Sequence, residues 1–297
     1  MAAGCSHSED DTVVPKDKDV KTRLLTFTQV ENRGSRAVLN EDVENVLSAL
    51  WNSGDELGCC NLSTLEEKIM NHEDISTGTL TAQYNNVRTS IFQGEMNCNQ
   101  DHRLAVIYPV KNFGFGLESG EYFAKYTITL SGQDGTLEKL ANSYHYMYGV
   151  ATVNSVTSSM AEASGEMKSL LAVCKFSFTD GEGHTIRVKE LEISYGGDGL
   201  DGDFGTYPQT ANVTCNINQD TVHADYVPSN ESLIIQTVLS SDSQYPKDVF
   251  VSLLPVSERT FCFKVTDAND GTYTGVAKGT LNAGEYVVAT ISVKREV

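Results

Sequence analysis

The sequence predicts an all-β protein: two β-sandwich domains in tandem, with short helical insertions. Three observations predict it. Apolar residues alternate with polar ones in short runs along most of the chain, the period of half-buried strands. Turn dipeptides separate those runs, at Asp134-Gly135, Asp180-Gly181, Gly197-Asp198-Gly199, Asp270-Gly271 and Ala283-Gly284. The length of 297 residues suits about two hydrophobic cores.

Taken in order, Leu24 to Val30 is an apolar alternating strand. Asn40 to Trp51 reads as a short helix with Asn40 as N-cap and Val43, Val46, Leu47 and Leu50 along one face. Trp51 is the only tryptophan and, with Leu47, Leu50 and Leu57 near it, reads as a core anchor. Leu62 to Met70 is a second short helix. Tyr108-Pro109 ends a strand, because proline has no N–H to donate to a ladder. Tyr122 to Leu130 is an aromatic and β-branched strand. Met160 to Leu171 reads as a loop or a helical turn. Thr185 to Tyr195 alternates Ile186, Val188, Leu191 and Ile193 with polar residues. Val249–Leu254, Phe261–Thr266, Tyr273–Lys278 and Tyr286–Val293 repeat the theme, and Gly284 sits in a turn suited to positive φ. The aromatic stretch Tyr144 to Gly149 opens a new set of strands, so the domains are expected at 24–142 and 143–297, each of ordinary size.

Residues 1–23 are expected to be a lipoprotein N-terminus and flexible spacer. Ala3-Gly4-Cys5 puts small residues ahead of a cysteine, the junction a lipoprotein signal peptidase reads. The Cys5 thiol would then take a lipid. The plain alternative is one cysteine in a tail. The charged and apolar regions of a leader do not precede it, so the chain reads as a mature form with Met1 as its start. The segment from Cys5 to about Lys21 is acidic and has no aromatic residue, so it buries too little surface to offset the entropy of ordering. Stable anchoring takes two membrane signals, which an acylated cysteine with more than one chain supplies.

The net charge is −18 and the pI near 4.6. No excess of Lys and Arg exists to displace counterions, which argues against nucleic-acid partners and against docking on anionic lipid. Such charge suits a secreted or surface protein. No apolar run approaches the roughly 18 residues needed to cross a membrane as a helix. Besides Cys5 there are Cys59, Cys60, Cys98, Cys174, Cys215 and Cys262. Six can pair, but Cys174 and Cys262 lie inside apolar strands, where a small buried hydrophobe is the simpler role. No C-x-x-C or clustered histidine pair supports a metal. The histidines (His7, His72, His102, His145, His184, His223) are scattered singly, and neither a Gly-x-Ser-x-Gly nor a P-loop occurs. The run Gly196 to Gly205 has alternate aspartates like a calcium loop but lacks the terminal glutamate, and reads as a glycine-rich hairpin loop. No catalytic residue, metal or cofactor is expected.

One ordered set of short motifs stands out: Leu25-Thr-Phe27-Thr; Asn32-Arg33-Gly-Ser-Arg36-Ala37-Val38-Leu39; Leu50-Trp51 through Gly54-Asp55-Glu56-Leu57-Gly58; Leu104 to Tyr108-Pro109; Leu170 to Phe178; Leu253-Leu254-Pro255; Gly271-Thr-Tyr273; and Leu281-Asn-Ala283-Gly284-Glu-Tyr286. With the Cys5 junction, this order resembles the fimbrillin-like family of anaerobic gut and oral bacteria, whose members build or decorate type V surface pili. The resemblance covers about residues 24 to 293. Gly58-Cys59-Cys60 departs from it, since an aliphatic or aromatic residue is expected after that glycine.

The resemblance implies transthyretin-like, Greek-key sandwiches and a non-enzymatic, lipid-anchored outer-membrane pilus subunit or accessory at the cell surface. Its partners would be other pilus subunits and a host or bacterial surface ligand. It also implies cleavage after the first strand by an arginine-specific protease, at Arg33 or Arg36. Arg36 is favoured because Ala37-Val38-Leu39 then opens the retained body. The donor strand would be the C-terminal segment, with Tyr286, Val288, Thr290 and Ser292 on one face. The alternative is that this segment is the last strand of its own domain. A surface glycan-binding lipoprotein is the second functional reading, and a glycosidase or protease on a sandwich the third.

Overall fold

The structure is a computed structural model that describes residues 20–30, 38–41, 47–110, 113–118, 121–196, 204–205, 210–216, 221–227 and 232–296. Cys5, Arg33, Arg36 and most of the glycine-rich run at 197–203 lie outside the described residues. Strands dominate, as expected, and helix is confined to three short segments among the described residues.

The strands run β1 (Thr22–Val30), β2 (Val38–Glu41), β3 (Leu47–Leu50), β4 (Glu56–Asn61), β5 (Thr77–Ala82), β6 (Ile91–Asn97), β7 (Arg103–Tyr108), β8 (Phe113–Glu118) and β9 (Glu121–Thr129). They continue with β10 (Met147–Val156), β11 (Met160–Ser169), β12 (Ala172–Thr179), β13 (Val188–Gly196), β14 (Phe204–Gly205), β15 (Thr210–Asn216) and β16 (Thr221–Val227). The last are β17 (Leu233–Gln236), β18 (Asp248–Leu253), β19 (Val256–Asp267), β20 (Thr272–Leu281), β21 (Tyr286–Ser292) and β22 (Lys294–Arg295). Two helices, α1 (Leu65–Met70) and α2 (Leu137–Ser143), join them. A single 3-10 turn, Leu62–Thr64, leads into α1, so the helix expected over Leu62 to Met70 is present.

The first unit is a closed barrel, in the order β1-β11-β10-β7-β4-β5-β6, and not an open sandwich. Closure removes the free sheet edges that an open sheet must protect. Its interior holds Leu25, Phe27, Trp51, Leu57, Leu80, Phe92, Val106 and Met167, with Cys59 and Cys98 among them. The division expected at 142/143 cuts this barrel, because β10 and β11 follow it in sequence and close the sheet. Strand pairing is non-local, so composition along the chain does not report it.

Two local expectations are corrected. The helix expected over Asn40 to Trp51 is instead the antiparallel pair β2 and β3, with Val38 opposite Leu50. So short a helix is marginal in water, whereas a strand pair gains a ladder. Trp51 then bridges Val87 in extended conformation. Met160 to Leu171 is not a loop or helical turn, because its first ten residues form β11, paired to β10 and β1. Its inward residues Ala161 and Ala163 are small, which hides the alternation. Gly149 and Gly165 bring β10 and β11 together, since a Cβ at either would collide with a carbonyl oxygen across the pair, Glu166 or Val150.

Beyond the barrel, a three-stranded sheet (β18-β12-β21) faces a six-stranded one (β14-β13-β19-β20-β22, with β17 on β13). Phe176 and Phe178 of the first meet Phe263 of the second, with ring centroids 5.1 and 5.8 Å apart. Edge-to-face geometry of this kind adds to area burial. The same core continues onto the outside of the barrel, through Cys60, Ala105, Ile107 and Tyr148. A second core, distinct from the barrel interior, therefore joins the two units. A further sheet, β16-β15-β9-β8, runs through β9.

Thr136 caps α2, accepting from the Lys139 N–H at 3.1 Å. The helix packs Leu140 and Ala141 against Val173, Phe250 and Tyr286. Gly284 takes φ +77°, and β7 ends at Tyr108 before Pro109, both as expected.

Candidate strand-exchange groove

β1 occupies a position set by its sequence. Arg23, Leu25, Phe27 and Gln29 are buried; Leu24, Thr28 and Val30 are exposed. This is the two-residue period of a strand with one face in a core. The strand lies between β6, to which it is antiparallel, and β11, to which it is parallel. Its partners are distant in sequence: Leu24 stands beside Met160, and Phe27 beside Phe92 and Ala163. β1 thus supplies the seventh stave of the barrel from a segment joined to it at one end by residues 31–37, which carry Arg33 and Arg36. Taking it out leaves a slot with unpaired backbone groups on both sides and an apolar floor.

The floor is aromatic. Phe27 and Phe92 have ring centroids 5.9 Å apart. Trp51 meets Phe92 at 4.9 Å and Tyr108 at 5.2 Å, both nearly perpendicular. Trp51 is fully buried, which fits the core-anchor reading. Its indole N–H donates to the Gln29 side-chain oxygen. Burial pushes the Tyr108 hydroxyl well above the usual phenol range, with the Asp55 charge adding to it, so the group stays neutral.

At the other end of β1 the buried Arg23 guanidinium is held by oxygen. Nε donates to the Thr157 carbonyl at 2.8 Å, and Nη1 to the Asn99 side chain at 2.9 Å, to the Cys98 carbonyl and to the Lys21 carbonyl at 3.4 Å. Sequence reasoning missed Arg23 and Gln29. The available signal was their parity, since both fall on the same face as Leu25 and Phe27.

The predicted donor segment is β21, which lies parallel to β12 with Val173 beside Tyr286. It is the edge of its three-stranded sheet. Val287, Ala289 and Ile291 face the shared core, so the opposite face carries the named Val288, Thr290 and Ser292, and Val288 is 47% exposed. Tyr286 packs beside α2. To act as a donor, β21 would have to leave this sheet.

Other chemistry is thin among the described residues. No three His, Cys, Asp or Glu side chains come together as a metal site. His102 is structural: its Nδ1 lies 2.9 Å from the Asn61 side-chain nitrogen and accepts from the Asn99 N–H at 3.2 Å. His184 is exposed beside Asp180, at 3.2 Å. A surface cleft of about 400 Å³ is lined by Pro255, Val256, Ser257, Arg259, Leu281, Asn282 and Ala283, with no carboxylate or histidine among them. Tyr84 is an exposed aromatic side chain, at 52%.

Cys59, Cys60, Cys98, Cys174 and Cys262 are buried free thiols. Burial raises all five, Cys60 to about 12. Since the thiolate is the reactive form, native protein treated with iodoacetamide at pH 8 should leave these five unlabelled, and urea should expose them. Peptide mapping that finds any of Cys59, Cys60 or Cys174 alkylated in native protein contradicts this burial.

No protein-family profile and no curated protein sequence matches the chain. Solved structures do. A candidate cell adhesion protein from Bacteroides ovatus aligns over 94% of this chain and 97% of its own, at TM-score 0.54 and 14% identity. Another, from Bacteroides uniformis, aligns over 95% and 98%, at TM-score 0.50 and 14% identity. A fimbrial protein from Bacteroides ovatus aligns over 93% of this chain and 50% of its own, at TM-score 0.42 and 11% identity. At these identities the first two likenesses show a shared fold, over nearly the whole of both chains. That fold agrees with the fimbrillin-like resemblance read from the motifs.

Proposed function

We propose that this chain is a cell-surface pilus subunit or pilus accessory that assembles by strand exchange and contributes to adhesion, without enzymatic activity. The observation that carries the reading is β1, a nine-residue strand that closes a barrel between β6 and β11 and is followed at once by the segment with Arg33 and Arg36. Segments between elements are where proteolytic nicking concentrates. A sheet missing one strand takes another by main-chain pairing. The fold shared with cell adhesion candidates is consistent with this reading. In it, the partners are further pilus subunits and a host or bacterial surface ligand. The outer membrane is reached through lipid on Cys5, and the C-terminal strand of the next subunit fills the slot.

The test is limited trypsin digestion of the purified protein, followed by mass spectrometry, sizing and electron microscopy. Cleavage after Arg33 or Arg36 should produce filaments that disappear when residues 286 to 297 are deleted. Clean cleavage that yields only stable monomer counts against assembly by strand exchange. The anchor is tested separately. Expressed behind a lipoprotein leader, the chain should incorporate radiolabelled palmitate, and Cys5→Ala should abolish it. Equal labelling of that variant refutes the anchor alone.

A further inference from the structure

The slot occupied by β1 is apolar in the middle and polar at both ends, and the two ends differ. At the Arg23 end, three oxygens belong to the barrel rather than to β1: the Cys98 carbonyl and Asn99 side chain beyond β6, and the Thr157 carbonyl in the β10–β11 turn. They stand on both flanks and converge on one side chain. At the Gln29 end, the barrel offers a donor, the Trp51 indole N–H. Between the ends sit the sites of Leu25 and Phe27, fully buried. A converging set of oxygens suits the fork of a guanidinium, whose donors are fixed in a plane. Bonds to a charged donor are about twice as strong as neutral ones.

From this arrangement we infer that the slot is a selective strand-binding site, reading a guanidinium at the first inward position and a hydrogen-bond acceptor at the fourth. It rests on the reading of β1 as a replaceable strand. The two ends fix direction and register together. A slip of one residue turns the apolar face outward. A slip of two puts either Leu25 among the oxygens, leaving them unpaired, or Arg23 into the apolar site of Leu25. Both leave buried polar groups without partners, which costs more than a lost contact. Reversal sets the guanidinium against the Trp51 N–H, donor against donor. The best-matched ligand is therefore an extended strand of the form cation, aliphatic, aromatic, acceptor at alternate positions, and a donor without the cation enters the same slot more weakly. Neither face of Tyr286–Ser292 carries a cation, so that strand, running in the direction of β1, leaves the oxygens at the Arg23 end unmatched.

The test uses the full chain with a specific protease site written across residues 31–37. After cutting, labelled peptides compete with the resident strand, and exchange is read by fluorescence anisotropy. The peptide Thr22–Val30 should enter. A peptide with citrulline in place of Arg23, nearly the same shape without the charge, should bind at least tenfold more weakly. Arg23→Met, Gln29→Leu and the peptide Tyr286–Ser292 should also be weaker. Citrulline or Met peptides within twofold of the parent overturn the inference. If no peptide enters, the uncut chain decides. Arg23→Met should then raise amide exchange in β1 at least tenfold over β12, with Arg23→Lys intermediate, and unchanged protection overturns the inference. Neither readout involves filaments. A chain that discriminates the peptides but never polymerises keeps this site and loses the pilus reading, and the converse result does the reverse.

Discussion

Replacing Phe27 by alanine is expected to destabilise the protein by about 3–5 kcal/mol, the range for emptying a buried aromatic site. Phe27 is fully buried and sits against Phe92, which in turn supports Trp51. The cavity would open at the centre of β1, where neither end of the strand can collapse inward, because Arg23 and Gln29 hold both ends. The loss should appear in urea as a lower midpoint at unchanged slope. It should also lower the barrier to β1 leaving, seen as faster amide exchange across Leu24 to Thr28. A loss under about 1 kcal/mol would mean that Phe27 does not hold the strand in place.

Phe263→Ala should cost a similar amount, about 3–5 kcal/mol. Phe263 joins the facing sheets through Phe176 and Phe178, and Phe261 lies 6.4 Å away. The more telling outcome concerns the barrel. Trp51 is the only tryptophan, so its fluorescence reports the barrel alone. The shared core passes from Phe263 to Ile107 and Tyr148 on the barrel exterior. Trp51 fluorescence and far-ultraviolet circular dichroism should therefore shift together, as coincident probes do in a two-state transition. Separate midpoints in the variant would show that the two units unfold independently, and that the continuous core does not couple them.

Much of the fold is legible locally. The alternation of Thr185 to Tyr195 and of Leu24 to Val30 needs only the residues themselves, because side chains on a strand repeat every two positions. The same holds for Pro109, which cannot donate, and for Gly284, which turns the chain at positive φ. β11 was not legible. Its inward Ala161 and Ala163 carry little hydrophobic signal, and Gly165 is there to let β10 approach. Nor was the β2–β3 pair, because the sequence spacing of Val43, Val46, Leu47 and Leu50 mimics a helical face. The candidate groove was half legible: the strand and the arginines after it stand in the sequence, while its neighbours and polar ends do not.

By itself, then, the sequence determined the strand-rich class, the burial of Trp51, the strand at Leu24 to Val30 and the acidic charge. These follow from period, residue type and charge, all properties of short segments. Only the tertiary structure decided that β10 and β11 belong to the first unit, that a second core joins the two units, and that β1 closes a barrel beside a parallel strand more than 100 residues away. It also decided that Arg23 and Gln29 have partners at opposite ends of one slot. Those partners come from Cys98, Asn99, Thr157 and Trp51, on segments brought together by strand pairing. The reason is that a strand satisfies its backbone outside itself. Its local pattern fixes which face is buried, but the choice of neighbour is settled by all strands of the sheet at once.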